Sequence, residues 1–159
     1  MVSNSFSIHR ATFPDANLIA RITRDAWANT IPIESGGHRE TADSVMHDLQ
    51  SGGGLIGLID NNAIASLRWF NLSPAAREVK RIGVLAEYRN QGIAQQLMAE
   101  ALRIAQQDGV TDLRLAVRVD QPQLVEAYAL IGFRIDTSLI YSHANPLSPP
   151  PVVMRIKLV

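Results

Sequence analysis

Hydrophobic and polar positions repeat with two periods along the chain, and these periods predict its elements. Residues 6–9 alternate, which is typical of a half-buried strand. A helix entry at residues 12–15 precedes apolar positions that share one helix face: Ala16, Ile19, Ala20, Thr23 and Trp27. Residues 31–37 hold a proline and two glycines and predict a loop. Residues 40–49 predict a short helix that the Ser-Gly-Gly-Gly run at 51–54 ends.

The rest of the chain predicts more strands and two more helices. The predicted strands are residues 55–59, 63–70, 78–85, 113–119, 133–141 and 152–159, and the helices are 91–107 and 123–130. The first two of these strands form a hairpin around Asp60, Asn61 and Asn62, whose residue types tolerate tight turns. This order favours an α/β (α+β) fold with a mixed sheet and helices on both faces. No repeat or linker divides the chain, so we expect one domain over residues 1–159.

Composition narrows the function classes. The 159 residues are 47% hydrophobic and 19% charged, with fifteen basic and fifteen acidic side chains, so we expect no nucleic-acid or membrane partner. Cysteine is absent, which excludes disulfides and thiolate chemistry. The four histidines lack metal-ligand spacing, and we expect no metal. No signal-like or membrane-spanning stretch is evident, and we expect a cytoplasmic protein.

The stretch from Val79 to Ala94 carries the clearest chemical signal. It predicts a strand, a short loop and a helix that begins beside a glycine, Gly92. The first amides of a helix lack internal partners and lie at the positive end of its dipole, where they can bind phosphate. The loop has neither the Gly-Lys-Ser/Thr ending of a P-loop nor GxGxxG. An ordinary strand-to-helix connection would give the same pattern, so the residues by themselves leave both interpretations open.

Two motifs resemble those of the GNAT N-acetyltransferase superfamily. Arg89-x-x-Gly92-x-Ala94 is similar to its Q/R-x-x-G-x-G/A signature, with a similar lead-in at residues 82–84. Residues 128–133, Tyr-Ala-Leu-Ile-Gly-Phe, look like its Y-x-x-x-G-F element. The predicted element order matches over essentially the whole chain. The resemblance implies a mixed, mostly antiparallel sheet of about seven strands flanked by about four helices, and acetyl-CoA as co-substrate.

The resemblance also implies roles for the residues that bind the cofactor. Those implied to hold the pyrophosphate are Arg89, Asn90, Gln91, Gly92, Ile93, Ala94 and Gln95. Backbone groups of Ile82 and Val84 would pair with the pantetheine arm. Gly83, a glycine inside a strand, predicts a bulge or a close backbone approach, although it could also fill a tight packing position. Gln121 stands where many members have an asparagine that contacts the cofactor.

The implied general acid is Tyr128, which would protonate the departing thiolate, although a core tyrosine would fit the same position. Glu78 resembles the catalytic glutamate of the histone-acetylating branch. Other candidates for the base are Glu34, His38 and Glu40. Each of these can also be a solvated surface group. Three aromatic residues could line the acceptor pocket or fill the core: Trp27, Trp69 and Phe70.

The resulting hypothesis is an N-acetyltransferase that moves an acetyl group from acetyl-CoA to the primary amine of a small molecule, in a ternary complex. The Val84 amide would stabilise the oxyanion. Alternatives are a protein or peptide N-acetyltransferase and a non-catalytic CoA-binding sensor. A small-molecule site should be roofed by residues 31–39, whereas a peptide needs an open groove. The resemblance also allows a homodimer through the last strands.

Overall fold

The computed structural model describes residues 5–28, 36–141 and 146–158. Its helices are α1 (Ala16–Trp27), α2 (Ala42–Ser51), α3 (Ile93–Gln107) and α4 (Pro122–Ile131). Its strands are β1 (Phe6–Arg10), β2 (Gly52–Ile59), β3 (Asn62–Asn71), β4 (Ala76–Val84), β5 (Asp112–Val117), β6 (Arg134–Ile135) and β7 (Val152–Lys157). Short 3-10 turns lie at Phe13–Asp15, Gly36–Arg39 and Ala86–Tyr88.

The strands form one sheet in the order β1-β2-β3-β4-β5-β7-β6. Every neighbouring pair is antiparallel except β4 and β5, which run parallel and are joined through α3. The expected mixed, mostly antiparallel sheet of seven strands with four helices is therefore confirmed. The single parallel pair positions the candidate site, because a parallel connection places a helix N-terminus at the carboxyl end of its first strand.

The two faces of the sheet are covered by different helices. On one face, α3 and α4 pack on β2–β5 and β7 through a large apolar core that includes Leu67, Leu97 and Leu115. On the other face, α1 and α2 pack on β2 through a smaller cluster around Ile19 and Val45. Burial of this apolar area supplies most of the free energy that holds the layers together.

The strand predicted over residues 133–141 is wrong in length, because β6 holds only Arg134 and Ile135. Asp136 ends it. Its carboxylate accepts hydrogen bonds from the backbone amide and the hydroxyl of Ser138, and its carbonyl accepts one from the Leu139 amide. A side chain that binds the backbone two residues ahead stabilises a turn in place of a strand.

The run at residues 51–54 ends α2 at Ser51, as predicted, but the strand start predicted at residue 55 is wrong, since β2 begins at Gly52. Gly52 and Gly53 lie beside Trp69 of β3. A Cβ on Gly53 would stand 2.6 Å from the indole of Trp69, and one on Gly52 would overlap its carbonyl oxygen. The glycines therefore leave room for a buried tryptophan in a paired strand and do not end the chain's regular structure.

In the part of the chain that the structure describes, no helix has the length and apolar character needed to cross a membrane.

Candidate active site

A cleft opens where β4 and β5 separate. The two strands pair from Ala76 with Asp112 to Val79 with Leu115, and the pairing stops there. Beyond that point a cleft of about 1100 Å³ lies between them. Its lining residues come from both faces of the sheet, including Trp27 of α1 on one face and Tyr128 of α4 on the other. The cleft therefore passes through the sheet from one layer of helices to the other.

A β-bulge in β4 accompanies this opening. Ser66 of β3 faces Gly83, whereas Arg68 faces Lys80, so Arg81 and Ile82 together oppose one residue of β3. Arg81 has a φ of 56°, a left-handed conformation that is costly for a residue with a side chain. Bulges bend a strand and increase its twist, which gives a local reason for the separation of β4 from β5.

Gly83 was predicted to mark that bulge, but the bulge lies at Arg81 and Ile82. Gly83 itself pairs with Ser66 and is buried beneath the end of α1. A Cβ at this position would stand 3.0 Å from the Cβ of Ala26 and 3.6 Å from the Trp27 indole nitrogen. Gly83 thus permits the close approach of α1 to β4, which is the other role that a mid-strand glycine can have.

The N-terminus of α3 forms one end of the cleft. Asn90 has a φ of 62° and Gly92, the N-cap, a φ of 77°, so the loop makes two left-handed turns before the helix. The Gln96 amide donates to the Gly92 carbonyl at 3.1 Å and is the first to bond back into the helix. No described residue accepts a hydrogen bond from the amides of Ile93, Ala94 or Gln95. These amides, at the positive end of a fifteen-residue helix, form a site suited to an anion.

The helix begins at Ile93, two residues later than predicted, because Gln91 and Gly92 belong to the turn. A Cβ on Gly92 would meet no atom within 4 Å. Glycine is therefore needed here because the backbone is left-handed, and not because neighbouring atoms leave too little space for a side chain.

The guanidinium of Arg89 is bound to two backbone carbonyl groups. Its Nε donates to the Val84 carbonyl at 3.1 Å, and its Nη2 donates to the Ala26 carbonyl. The side chain thereby links the last turn of α1 to the end of β4. Arg89 still lines the cleft, and its fixed guanidinium places positive charge beside the start of α3.

Tyr128 lies on α4 and lines the cleft from the α3 and α4 face. It is 4% exposed, and its ring meets Phe133 edge to face at a centroid distance of 6.4 Å. Burial raises the pKa of Tyr128 to about 12. The phenol therefore keeps its proton at neutral pH, as a donor to a leaving group must. The motif residue Phe133 has a packing role in holding this ring.

Most residues that the sequence nominated for the cofactor line the cleft. These are Ile82, Gly83, Val84, Arg89, Asn90, Gly92, Ile93, Ala94, Gln95 and Gln121. Gln121 is the N-cap of α4. Gln91 is exposed and is not among the described lining residues; its side-chain amide donates to the Glu87 carbonyl at 3.4 Å. The binding roles themselves stay predictions.

Glu40 is unsuited to act as the base. Burial by itself would raise its pKa, but hydrogen bonds and charges from Arg68 and Arg81, together with the Ser44 hydroxyl, outweigh that effect and lower the pKa to about 2. Arg68 Nη2 lies 3.0 Å from Glu40 Oε1, and Arg81 Nε lies 2.7 Å from the same oxygen. A carboxylate held this strongly in its charged form is a poor proton acceptor near neutral pH.

The other candidates for the base lie in different places. Glu78 is 2% exposed within β4 and is not among the described residues that line the cleft. Its charge nevertheless acts on Tyr141, whose pKa is raised to about 12 by burial and then by Glu78. His38 packs edge to face against Trp27 at 6.4 Å. Glu34 lies outside the described residues. The base therefore stays unassigned, with Glu78 as a prediction.

Of the three aromatic candidates, Trp27 lines the cleft. Trp69 is buried in the core, with the guanidinium groups of Arg10 and Arg77 at 5.0 and 5.3 Å from its ring centre. Phe70 is not among the described lining residues. Sequence reasoning missed Tyr141, which lines the cleft from the connection between β6 and β7. Nothing local marks that tyrosine, because only the return of this connection over the sheet brings it to the site.

Solved structures with similar folds include several acetyltransferases. PaiA N-acetyltransferase from Thermoplasma acidophilum, in complex with coenzyme A, has a TM-score of 0.77 at 17% identity, with 97% of this chain and 99% of that chain covered. YncA from Salmonella typhimurium, a putative acetyltransferase with its cofactor acetyl-CoA, has a TM-score of 0.78 at 13% identity, covering 98% and 95%. The ribosomal-protein-S18-alanine N-acetyltransferase from Escherichia coli has a TM-score of 0.76 at 15% identity, covering 96% and 94%. At these identities the likeness establishes the fold alone.

No curated protein matches the chain. The sequence does match the family model described as the acetyltransferase (GNAT) family, over residues 18–133. This segment runs from α1 to the Phe133 that packs on Tyr128, and so includes the bulged strand, the α3 N-terminus and most of the cleft. The chain therefore belongs to the acetyltransferase (GNAT) family and is an acyltransferase.

Proposed function

We propose that the protein transfers the acetyl group of acetyl-CoA directly to the primary amine of a small molecule. The observation that carries the proposal is the cleft through the sheet, lined from both faces by residues of α1, α3 and α4. Such a cleft lets a thioester enter from one face and an amine from the other. Because the chain has no cysteine, transfer cannot pass through an acyl-cysteine, and direct attack is the simpler route.

The donor side is supported by three features of the α3 end. The amides of Ile93, Ala94 and Gln95 are suited to a diphosphate, and the Arg89 guanidinium adds fixed positive charge nearby. The edge of β4 that faces β5 has no strand partner beyond Val79 among the described residues. The pantetheine arm carries amide groups and can pair with this edge at Ile82 and Val84 as an added strand would.

The chemistry follows from these positions. The neutral amine nitrogen attacks the thioester carbonyl carbon, and the carbonyl oxygen becomes an oxyanion that the Val84 amide can stabilise. The carbon–sulfur bond then breaks, and the sulfur takes a proton from the Tyr128 phenol. The nitrogen loses its extra proton to the base, and Tyr128 is reprotonated from that proton or from solvent. A phenol with a pKa of about 12 is a donor throughout the neutral range.

For the base, Glu78 is supported by its burial next to the cleft and by its influence on Tyr141, which lines it. A proton could leave the amine through Tyr141 or water and reach Glu78. Glu78→Gln should then remove the acidic limb of the kcat/KM profile against pH. An unchanged profile would remove Glu78 as the base.

A small-molecule acceptor is supported by what covers the α1 and α2 face of the cleft. Trp27 and Arg39 line it near the end of α1, and Tyr141, Pro146 and Pro149 line it from the connection before β7. These residues favour an enclosed site over an open groove. The second candidate is a peptide N-terminus, favoured by the fold shared with the ribosomal-protein-S18-alanine N-acetyltransferase.

The test uses the purified protein with acetyl-CoA and follows release of free thiol across a panel of amines, amino acids and short peptides. Calorimetry with CoA and with acetyl-CoA gives binding separately. We expect binding, and turnover with a small amine. Binding without turnover of any acceptor would favour the sensor alternative, preferred turnover of peptides would favour the second candidate, and absence of binding would refute the proposal.

A further inference from the structure

In the described part of the chain, the charged side chains that line the cleft are all cationic. Five cationic side chains are among the described residues that line the whole cleft: Arg39, Lys80, Arg81, Arg89 and Arg118. Within residues 5–28, 36–141 and 146–158, no aspartate or glutamate lines it. Arg118 precedes α4, and Arg89 is bound to carbonyl groups of α1 and β4. Arg39 ends the 3-10 turn before α2, Lys80 is bound to Asp48 of α2, and Arg81 lies over the ring of Trp27 in α1.

Lys80 is largely neutralised, because its Nζ lies 3.3 Å from Asp48 Oδ1 and both side chains are 12% exposed. Arg81 is more available. Its side chain is 25% exposed, and its only hydrogen bond among the described residues is the one from Nε to Glu40. Its Nη1 and Nη2 groups, four of the five donors of a guanidinium, have no acceptor within the described chain.

Arg81 shares its carboxylate partner, Glu40, with the buried cation Arg68. Arg68 takes up both oxygens of Glu40, at 3.0 and 3.2 Å, and also binds Asp48 at 2.7 Å. Arg24 donates to the Glu40 carbonyl at 2.6 Å. Glu78 is the third carboxylate whose charge acts on this region. Among residues 5–28, 36–141 and 146–158, the charged groups of this network are four cations (Arg24, Arg68, Lys80 and Arg81) and three carboxylates (Glu40, Asp48 and Glu78).

The position of Arg81 is fixed by more than its ion pair. Its backbone is left-handed within the bulge, and its guanidinium lies 5.2 Å from the centre of the Trp27 ring. The bulge, the ring and Glu40 hold the side chain at the acceptor side of the cleft, where β4 is separated from β5. Strained backbone that aims a side chain at a cleft is characteristic of residues that contact ligands.

We propose that the acceptor is an amine that carries a carboxylate, as an amino acid does, and that the Nη groups of Arg81 bind this carboxylate. This inference rests on the proposed acetyl transfer. Planar guanidinium and carboxylate groups form paired, charge-assisted hydrogen bonds, which both bind and orient the amine for attack. A polyamine would bring further positive charge to a cleft whose charged lining side chains, among the described residues, are all cationic.

Matched acceptors test the proposal. Each amino acid is compared with its carboxamide and with the amine that its decarboxylation gives, and the release of free thiol measures the rate with each acceptor. We expect the best amino acid to exceed its amide in kcat/KM by about tenfold or more, mainly through KM. Arg81→Gln should bring this ratio close to one, and Arg81→Lys should restore part of it. Arg118→Gln, at the α4 end of the same cleft, should leave the ratio as it is.

A second measurement separates this proposal from the proposed function. The affinity for CoA first shows that Arg81→Gln is folded. Each amino acid is then titrated, by calorimetry, into the parent and into the variant, both saturated with CoA. Binding to the parent that the variant loses supports the proposal. Amides or diamines as the better acceptors, or an acid preference that survives in Arg81→Gln, would overturn it while CoA binding still upheld the acetyltransferase.

Discussion

The Oε1 atom of Glu40 accepts a hydrogen bond of 2.7 Å from Nε of Arg81, which joins the start of α2 to the bulge of β4 across 41 positions of sequence. Because Glu40 also binds the buried Arg68, the acceptor side of the cleft rests on a buried network of charges. Breaking such a network by removal of one partner leaves a buried charge uncompensated.

Glu40→Gln should therefore destabilise the protein in a way that depends on pH. The folded pKa of Glu40 is about 2, below its ordinary value of 4.5, so its contribution is complete above pH 4.5 and is lost as the pH falls towards 2. This lowering of the pKa corresponds to a contribution of about 3 kcal/mol to the free energy of unfolding. The free energy of unfolding from urea titrations at pH 7, 5, 4 and 3 measures it.

The difference between parent and Glu40→Gln should shrink as the pH decreases. Glu126→Gln, a change at an exposed position on α4, serves as the control and should have little effect at any pH. A difference that stays constant from pH 7 to pH 3 would contradict the assignment of Glu40 to the charged network.

Tyr128→Phe tests the proton donor. The substitution keeps the edge-to-face contact with Phe133 and removes only the hydroxyl, so the fold and acetyl-CoA affinity should be retained. We expect kcat to fall about 100-fold or more, since positioned acids contribute about that much. The rate of thiol release with the best acceptor measures the effect, and a rate equal to that of the parent would remove Tyr128 from the mechanism.

Gly92→Ala tests the phosphate site, and Gly109→Ala, at the other end of the same helix, is its matched control. Gly92 before α3 and Gly109 after it have φ angles of 77° and 78°, and a Cβ at either would meet no atom within 4 Å. Both alanine variants should lose about 1 kcal/mol of stability from the same backbone strain. Only Gly92→Ala should weaken CoA binding in calorimetry, because only that turn presents amides to the cleft. Equal CoA affinity in the two variants would argue against a phosphate site at this helix end.

Arg89→Gln tests the link between α1 and β4. Loss of the two charge-assisted bonds to the Val84 and Ala26 carbonyls should cost about 2 kcal/mol. Removal of the fixed charge should also weaken CoA binding. Thermal unfolding with and without CoA reports both effects. A variant as stable as the parent, with the same shift of Tm by CoA, would show that neither role matters.

The sequence predicted local features well. The spacing of apolar residues located all four helices. However, α3 begins two residues after the predicted start, because Asn90 and Gly92 adopt left-handed conformations that the spacing of apolar residues does not reveal. The motif around Arg89 and Gly92 identified the loop at the cleft. The limits of β2 and β6 were wrong for two different reasons. Gly52 and Gly53 accommodate Trp69 of a neighbouring strand, which is a tertiary contact, whereas Asp136 binds its own turn, which is a local one.

What the sequence alone determined is the order of the elements and the chemistry of one loop, since both depend on neighbours a few residues away. Only the tertiary structure decided that Glu40 is a partner of Arg68 and Arg81, that Arg89 is fixed, and that Tyr141 reaches the cleft. These contacts join residues far apart in the chain, and their energies come from burial and charge pairing that exist only once the sheet and its two layers of helices are assembled.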